Sequence, residues 1–300
     1  MRAALLLGAL LAALTVAPAA AHGATSVLYD GDGPVRQIVR GGLSGPAGAL
    51  RQEPSNRGVL GSRYRVSKVR GSELRGRSAA AMASLLRSRI RSCTIRGRNY
   101  GCTSRLVFVD EITRHFNDRH GARNGANLSA AMRMLDAPSP FGGTWARRVH
   151  LYMAPNFGSA IAVGRGRNHN LGRDGRPHFP TWNRVMPALA RAGGVWLEMY
   201  HHSPGGPTPF TRAEWRRTGP DVWSLLRRRG GRLDRLHFLI AGTSGRPPGA
   251  GRACGAPMAC QWRLADSGAV NRRIVDNGVG AYRVGGQARA WLRQHQRRVR

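Results

Sequence analysis

The chain has 15 carboxylates against 48 lysines and arginines, a formal charge of +33 over 300 residues. Acids this scarce are informative by position. Asp30, Asp32, Asp110, Glu111 and Glu198 each stand where an apolar run ends. Burying a carboxylate without a partner costs several kcal/mol, so each needs either a cation or a chemical task. Salt bridging to the abundant arginines is the plain account. The functional account is a group of carboxylates meeting in a cleft, where proton transfer is usually carried out.

Two segments concentrate the chemistry. One is Val107-Phe108-Val109-Asp110-Glu111, and the other runs from Trp196 through Glu198 and Tyr200 to His202. Two carboxylates flanking a sugar can cleave a glycosidic bond, one as acid and the other as nucleophile or base. Tyr152, Trp196 and Tyr200 supply flat faces suited to sugar rings. A second reading uses Asp30, Asp32, Asp110 and Glu198 as oxygen ligands for Mg²⁺ or Ca²⁺, with arginines on a phosphate, as in a metal-assisted phosphodiesterase. A third is a non-catalytic binder of an anionic cell-surface polymer. The leading reading requires no metal and no cofactor.

The elements that must position these groups recur with a regular pitch. Apolar runs begin near Val27, Tyr64, Leu106, Val149, Val195, Leu236 and Val279. About 35 to 45 residues accommodate a strand, a helix and two loops, so the pattern predicts repeated βα units and a parallel sheet. Residues 41–62 read as loop, as does the Gly-rich and Arg-rich stretch 155–180, in which 159–163 is a candidate extra strand. Ser78 is a helix N-cap candidate, and Thr211 with Glu214 forms a capping box. Gly219-Pro220 is expected to interrupt the helix that follows. Seven strands and one candidate eighth imply a single (β/α)8-type barrel over 22–300, with one strand missing or irregular; an open doubly wound parallel sheet is the alternative. No G-x-G-x-x-G follows the first strand, which argues against a dinucleotide site.

Alternation along the strands places one parity against the helices. That set includes Val107, Val109, Leu151, Leu197 and Phe238. The mixed parity is expected to face the barrel interior: Asp110, His150, Tyr152, Trp196, Glu198 and His237, with Asp30 and Asp32 from the first strand. At these residues the chain resembles secreted TIM-barrel glycoside hydrolases, over roughly residues 106 to 245. The resemblance implies Glu198 as nucleophile or base and Asp110 as acid, or Glu111 if the strand has already turned. It implies substrate contacts at Asp30, Asp32, Tyr152, Asn156, Trp196, Tyr200, His202 and His237, and a carbohydrate polymer as substrate. The Asn-Glu pair that many of those enzymes carry is replaced here by Asp110-Glu111.

Residues 1–21 read as a signal peptide: Arg2, an apolar stretch to Val16, and Ala19-Ala20-Ala21 as the cleavage site. No later run is long enough to span a membrane. Export suits the four cysteines, with Cys93 near Cys102 and Cys254 near Cys260 as two local disulfides among three allowed connectivities. The expected protein is secreted and extracellular. Of its 48 basic residues, Lys68 is the one lysine. Specific nucleic-acid binding is not expected, because the arginines appear in every segment; non-specific adhesion to polyanions is.

Overall fold

The computed structural model describes residues 26–30, 32–43, 47–49, 66–92, 94–95, 98–99, 105–110, 112–116, 120–153, 180–203, 206–242 and 256–299. Eight strands form one sheet: β1 (Ser26–Tyr29), β2 (Ala47–Ala49), β3 (Ser67–Arg70), β4 (Val107–Asp110), β5 (Val149–Met153), β6 (Gly194–Glu198), β7 (Leu236–Ala241) and β8 (Val279–Tyr282). Every pairing in it is parallel. The order across the sheet is β2-β1-β8-β7-β6-β5-β4-β3. That is chain order taken in a circle, with the break between the consecutive strands β2 and β3. A doubly wound sheet reverses direction at a switch point; this one never does.

Curling of the sheet follows from its inner contacts. Val27 of β1, Val66 beside β3, Phe108, Tyr152, Trp196, Leu239, Ala241 and Tyr282 form one buried cluster. Side chains from strands so far apart in the sheet can meet only inside a curved surface. The opposite parity, including Leu28, Val69, Val107, Leu151, Leu197, Phe238 and Ala281, belongs to a second cluster shared with the helices. These are α1 (Asp32–Arg40), α2 (Ala79–Ser92), α3 (Gly121–Met134), α4 (Pro180–Arg191), α5 (Arg212–Arg227), α6 (Pro257–Ala265), α7 (Ala269–Asp276) and α8 (Ala288–Val299). Met82, Leu86 and Ile90 are the buried stripe of α2, recurring at helical spacing.

Several local expectations hold. Ser78 Oγ accepts from the Ala81 amide at 3.3 Å. Thr211 and Glu214 form the reciprocal box at the start of α5. Three others are corrected. The eighth strand is Ala47–Ala49, inside the segment read as loop. Its Ala-Gly-Ala sequence has no β-branched residue to signal it, and it is held by backbone pairing to β1. The candidate extra strand or hairpin arm at 159–163 lies outside the described residues. The stretch after Asp30, whose sequence Asp30-Gly31-Asp32-Gly33-Pro34 reads as a turn, is helix from Asp32, because Pro34 falls in the first turn of α1, where its missing N–H has no partner to lose. Finally, α5 runs unbroken through Pro220. Asn271 of α7 packs where a Gly219 side chain would stand, and its Nδ2 donates to the Trp215 carbonyl at 2.9 Å.

Cys260 is buried in α6 and disulfide-bonded. Cys93, Cys102, Cys254 and residues 1–21 lie outside the described residues. Among those described, no helix is long and apolar enough to cross a membrane.

Candidate functional site

The interior splits into a floor and a mouth. On the floor, Phe108, His150, Trp196 and His237 stack side by side. Trp196 lies on His237 at 4.3 Å between ring centroids, nearly parallel, and Phe108 meets His150 at 4.7 Å. The Trp196 indole N–H donates to His150 Nδ1 at 3.0 Å, so that nitrogen carries no proton. Burial lowers His150 to about 3, helped by His237 and Arg148. Burial also lowers His237 to about 4, against the raising effect of the Gly278 and Asn277 backbone. Trp196 and His237, expected as substrate contacts, lie buried in this floor, paired in register with each other.

Above the floor stand the charged groups. Lys68 of β3 and Asp110 of β4 form an ion pair at 2.5 Å, each side chain 5 % exposed. Both are on the inward parity, two residues beyond Val66 and Phe108 respectively. Arg70 ends β3 opposite Asp110 in register. Its amide donates to Glu73 Oε2 at 2.9 Å, and Glu73 pairs with Arg89 at the same distance. Glu198 enters the interior from β6 and is 2 % exposed. One strand, β5, separates β4 from β6, about 10 Å sideways, and Glu198 stands two residues further along its strand than Trp196, the residue level with Asp110.

Tyrosines surround Glu198. The Tyr200 phenol is pushed well above its ordinary value, first by burial and then by Glu198, Tyr152 and Tyr282. The Tyr200 and Tyr282 rings stack at 5.0 Å and 6°. Tyr200 begins a short antiparallel hairpin, Tyr200–Ser203 with Gly206–Pro209, that continues β6 past its carboxyl end. His202 lies on this hairpin, with its side chain outside the described residues, as are Glu111 and Asn156 altogether.

Asp30 is placed differently from expectation. Val27 is the inward residue of β1 and Leu28 the outward one, so Asp30 shares the outward parity. Its carboxylate accepts from the Gly285 amide at 3.2 Å, tying the end of β1 to the loop after β8. Asp32 is the first residue of α1 and not a strand-end group; its side chain is outside the described residues. Among the described residues, no group of three or more histidines, cysteines or carboxylates is placed to hold a metal ion.

Three mouth residues were not singled out from the sequence: Lys68, Arg70 and Tyr282. Lys68 carried a signal, as the one lysine in a chain that otherwise uses arginine throughout.

No protein-family model matches the chain, and no curated protein sequence does. Among solved structures, it is similar to a GH18 chitinase from Pseudoalteromonas aurantia, with a TM-score of 0.52 over 91 % of this chain and 99 % of that one. The chain is folded as a TIM barrel. Sequence identity across the superposition is 10 %, so the likeness is one of architecture. In TIM barrels, the catalytic groups sit at the carboxyl ends of the strands. The mouth holding Asp110, Lys68, Glu198 and the tyrosines is at that end.

Proposed function

We propose that this protein is a secreted glycoside hydrolase-like enzyme acting on a polysaccharide or other glycan. The observation that carries the reading is the convergence of Asp110 and Glu198 on one barrel interior, from strands separated by a single neighbour. The architectural likeness to a chitinase supports a carbohydrate polymer as substrate. Secretion rests on residues 1–21, and the Cys254–Cys260 and Cys93–Cys102 pairings rest on spacing.

The ion pair bears on how the two carboxyls divide the work. Asp110 bound to an ammonium is an acceptor and a poor proton donor. That favours Asp110 as the nucleophile or base and Glu198 as the acid, the reverse of the assignment expected from the sequence. The tyrosine hydroxyls around Glu198 are donors suited to a sugar oxygen. A non-catalytic barrel is the second reading. It is favoured by the locking of Asp110 to Lys68 and by the near-complete burial of both carboxylates.

A panel of soluble glycans assayed with wild type, Glu198→Gln and Asp110→Asn separates the readings. Hydrolysis by wild type that falls by about 10³-fold or more in both variants supports the enzyme. Binding without turnover supports the non-catalytic barrel, and turnover undiminished in Glu198→Gln removes that residue from the mechanism.

A further inference from the structure

In a TIM barrel, the helices run back toward the amino ends of the strands, so their carboxyl termini share the face opposite the mouth. Hydrogen bonds tie that face together here. Arg87 Nη2 donates to the Met134 carbonyl at 2.7 Å, linking α2 to the end of α3. Arg191 at the end of α4 donates to Asp136 at 2.9 Å. Asn277, just past α7, donates to the Leu233 carbonyl at 2.7 Å, and Gln296 of α8 donates to Gly41 and Gly42 beyond α1.

Each of the eight helices of eight residues or more among the described residues carries arginine in its last turn, from Arg40 in α1 to Arg297 in α8. Scattered in sequence, these groups become neighbours on one rim. Complementing the helix dipole accounts for a cation at each end. It does not account for Arg228 and Arg229 beyond α5, or for Arg147 standing close enough to Arg232 for the two to repel. Three acids of this face, Asp136, Asp234 and Asp266, are already paired with Arg191, Arg232 and Arg298. Arg133, Arg227, Arg229, Arg273 and Arg297 are exposed, and none is in an ion pair among the described residues. A cleft of about 570 Å³ opens between the ends of α7 and α8; Arg272, Arg297, Arg298 and Gln294 line it together with two carboxylates, Asp266, which is paired with Arg298, and the exposed Asp276.

We propose that this face is a docking surface for an anionic carbohydrate polymer, held by its carboxylate or phosphate groups while the mouth on the opposite face stays free. Guanidinium groups grip both anions in two-pronged fashion. Single-stranded nucleic acid and lipid bilayers call for exposed aromatic or apolar side chains as well. Among the described residues, the one exposed large hydrophobic is Met134. The surface does not depend on any catalytic role for the mouth.

The test is salt-dependent binding of the full chain to polygalacturonate, with a short DNA duplex as competitor. One variant changes Arg133, Arg227, Arg229, Arg273 and Arg297 to Gln. A control of equal charge changes Arg36, Arg184, Arg212, Arg216 and Arg289, exposed residues away from the helix carboxyl ends. The rim variant is expected to bind roughly a hundredfold more weakly at low salt and with a shallower salt slope, and the control to change severalfold at most. Should the rim variant fail to fold, Arg228→Gln with Arg229→Gln, both past the end of α5, is expected to lose roughly tenfold. Equal losses in rim and control variants would overturn the proposal, since net charge would then explain the binding. Tighter binding to the duplex than to polygalacturonate would overturn the choice of partner.

Discussion

Lys68 and Asp110 form a buried ion pair at 2.5 Å inside the barrel mouth, and Lys68 is the one lysine in the chain. A guanidinium is broad and planar, whereas an ammonium is compact. At this buried position, 5 % exposed, the compact cation sits beside the carboxylate. Lys68→Met is expected to destabilise the fold by about 3–5 kcal/mol, because the buried Asp110 carboxylate loses its ammonium partner. Adding Asp110→Leu should restore most of that loss. Urea denaturation of the three proteins checks it; a single-variant loss under about 1 kcal/mol would mean that the pair does not matter to stability.

Acid should weaken the protein through its buried histidines. His150 is lowered to about 3, and His237 and His295 to about 4, in each case first by burial. The unfolded chain takes up protons near the ordinary value of about 6.5, the folded one only near 3 to 4. Stability from these groups is thus whole above about pH 6.5 and declines as pH falls toward 4, by about 1.4 kcal/mol per pH unit for each histidine. Denaturant midpoints measured between pH 7 and 4.5 should fall, and His237→Phe, which keeps a ring against Trp196, should reduce the slope. An unchanged slope in that variant would count against the assignment.

Gly194 faces His150 in register. A Cβ there would stand 2.5 Å from His150 Nδ1 and 3.1 Å from the Trp196 indole nitrogen. Gly194→Ala must therefore displace the imidazole and break the Trp196–His150 hydrogen bond. The expected cost is about 1–3 kcal/mol, with a change in tryptophan emission. Wild-type stability and emission in the variant would show that the floor is looser than this packing requires.

Thr211 caps α5 by accepting from the Glu214 amide at 3.2 Å, while its own amide donates to Glu214 Oε2 at 2.6 Å. Thr211→Ala should cost about 1 kcal/mol. The loss should appear as a lower melting temperature with unchanged ligand binding. A larger loss, with binding also impaired, would mean that the cap positions the hairpin before it.

Much of the architecture is legible from neighbours along the chain. The βα pitch, the two parities of β4 through β7, the Ser78 cap and the Thr211–Glu214 box all follow from local periodicity and hydrogen-bonding capacity. So does the inward direction of Asp110 and Glu198. Ala47–Ala49 is not legible, since a strand held by backbone pairing need not use β-prone residues. Asp30 is misread because alternation from Tyr29 gives no clue as to which face of β1 turns inward; packing of Val27 with Val66 and with residues of β4 through β8 decides that.

Sequence alone determined that carboxylates end apolar strands, and that one lysine stands among arginines. Tertiary structure decided what each of them meets. Pairing of neighbouring parallel strands joins Lys68 to Asp110 across 42 positions and lays Trp196 on His237 across 41, and the barrel arrangement gathers the helix-end arginines onto one face. Local patterns depend on residues a few places apart. These partnerships depend on where strands and helices come to rest when the barrel forms, and no local pattern encodes that.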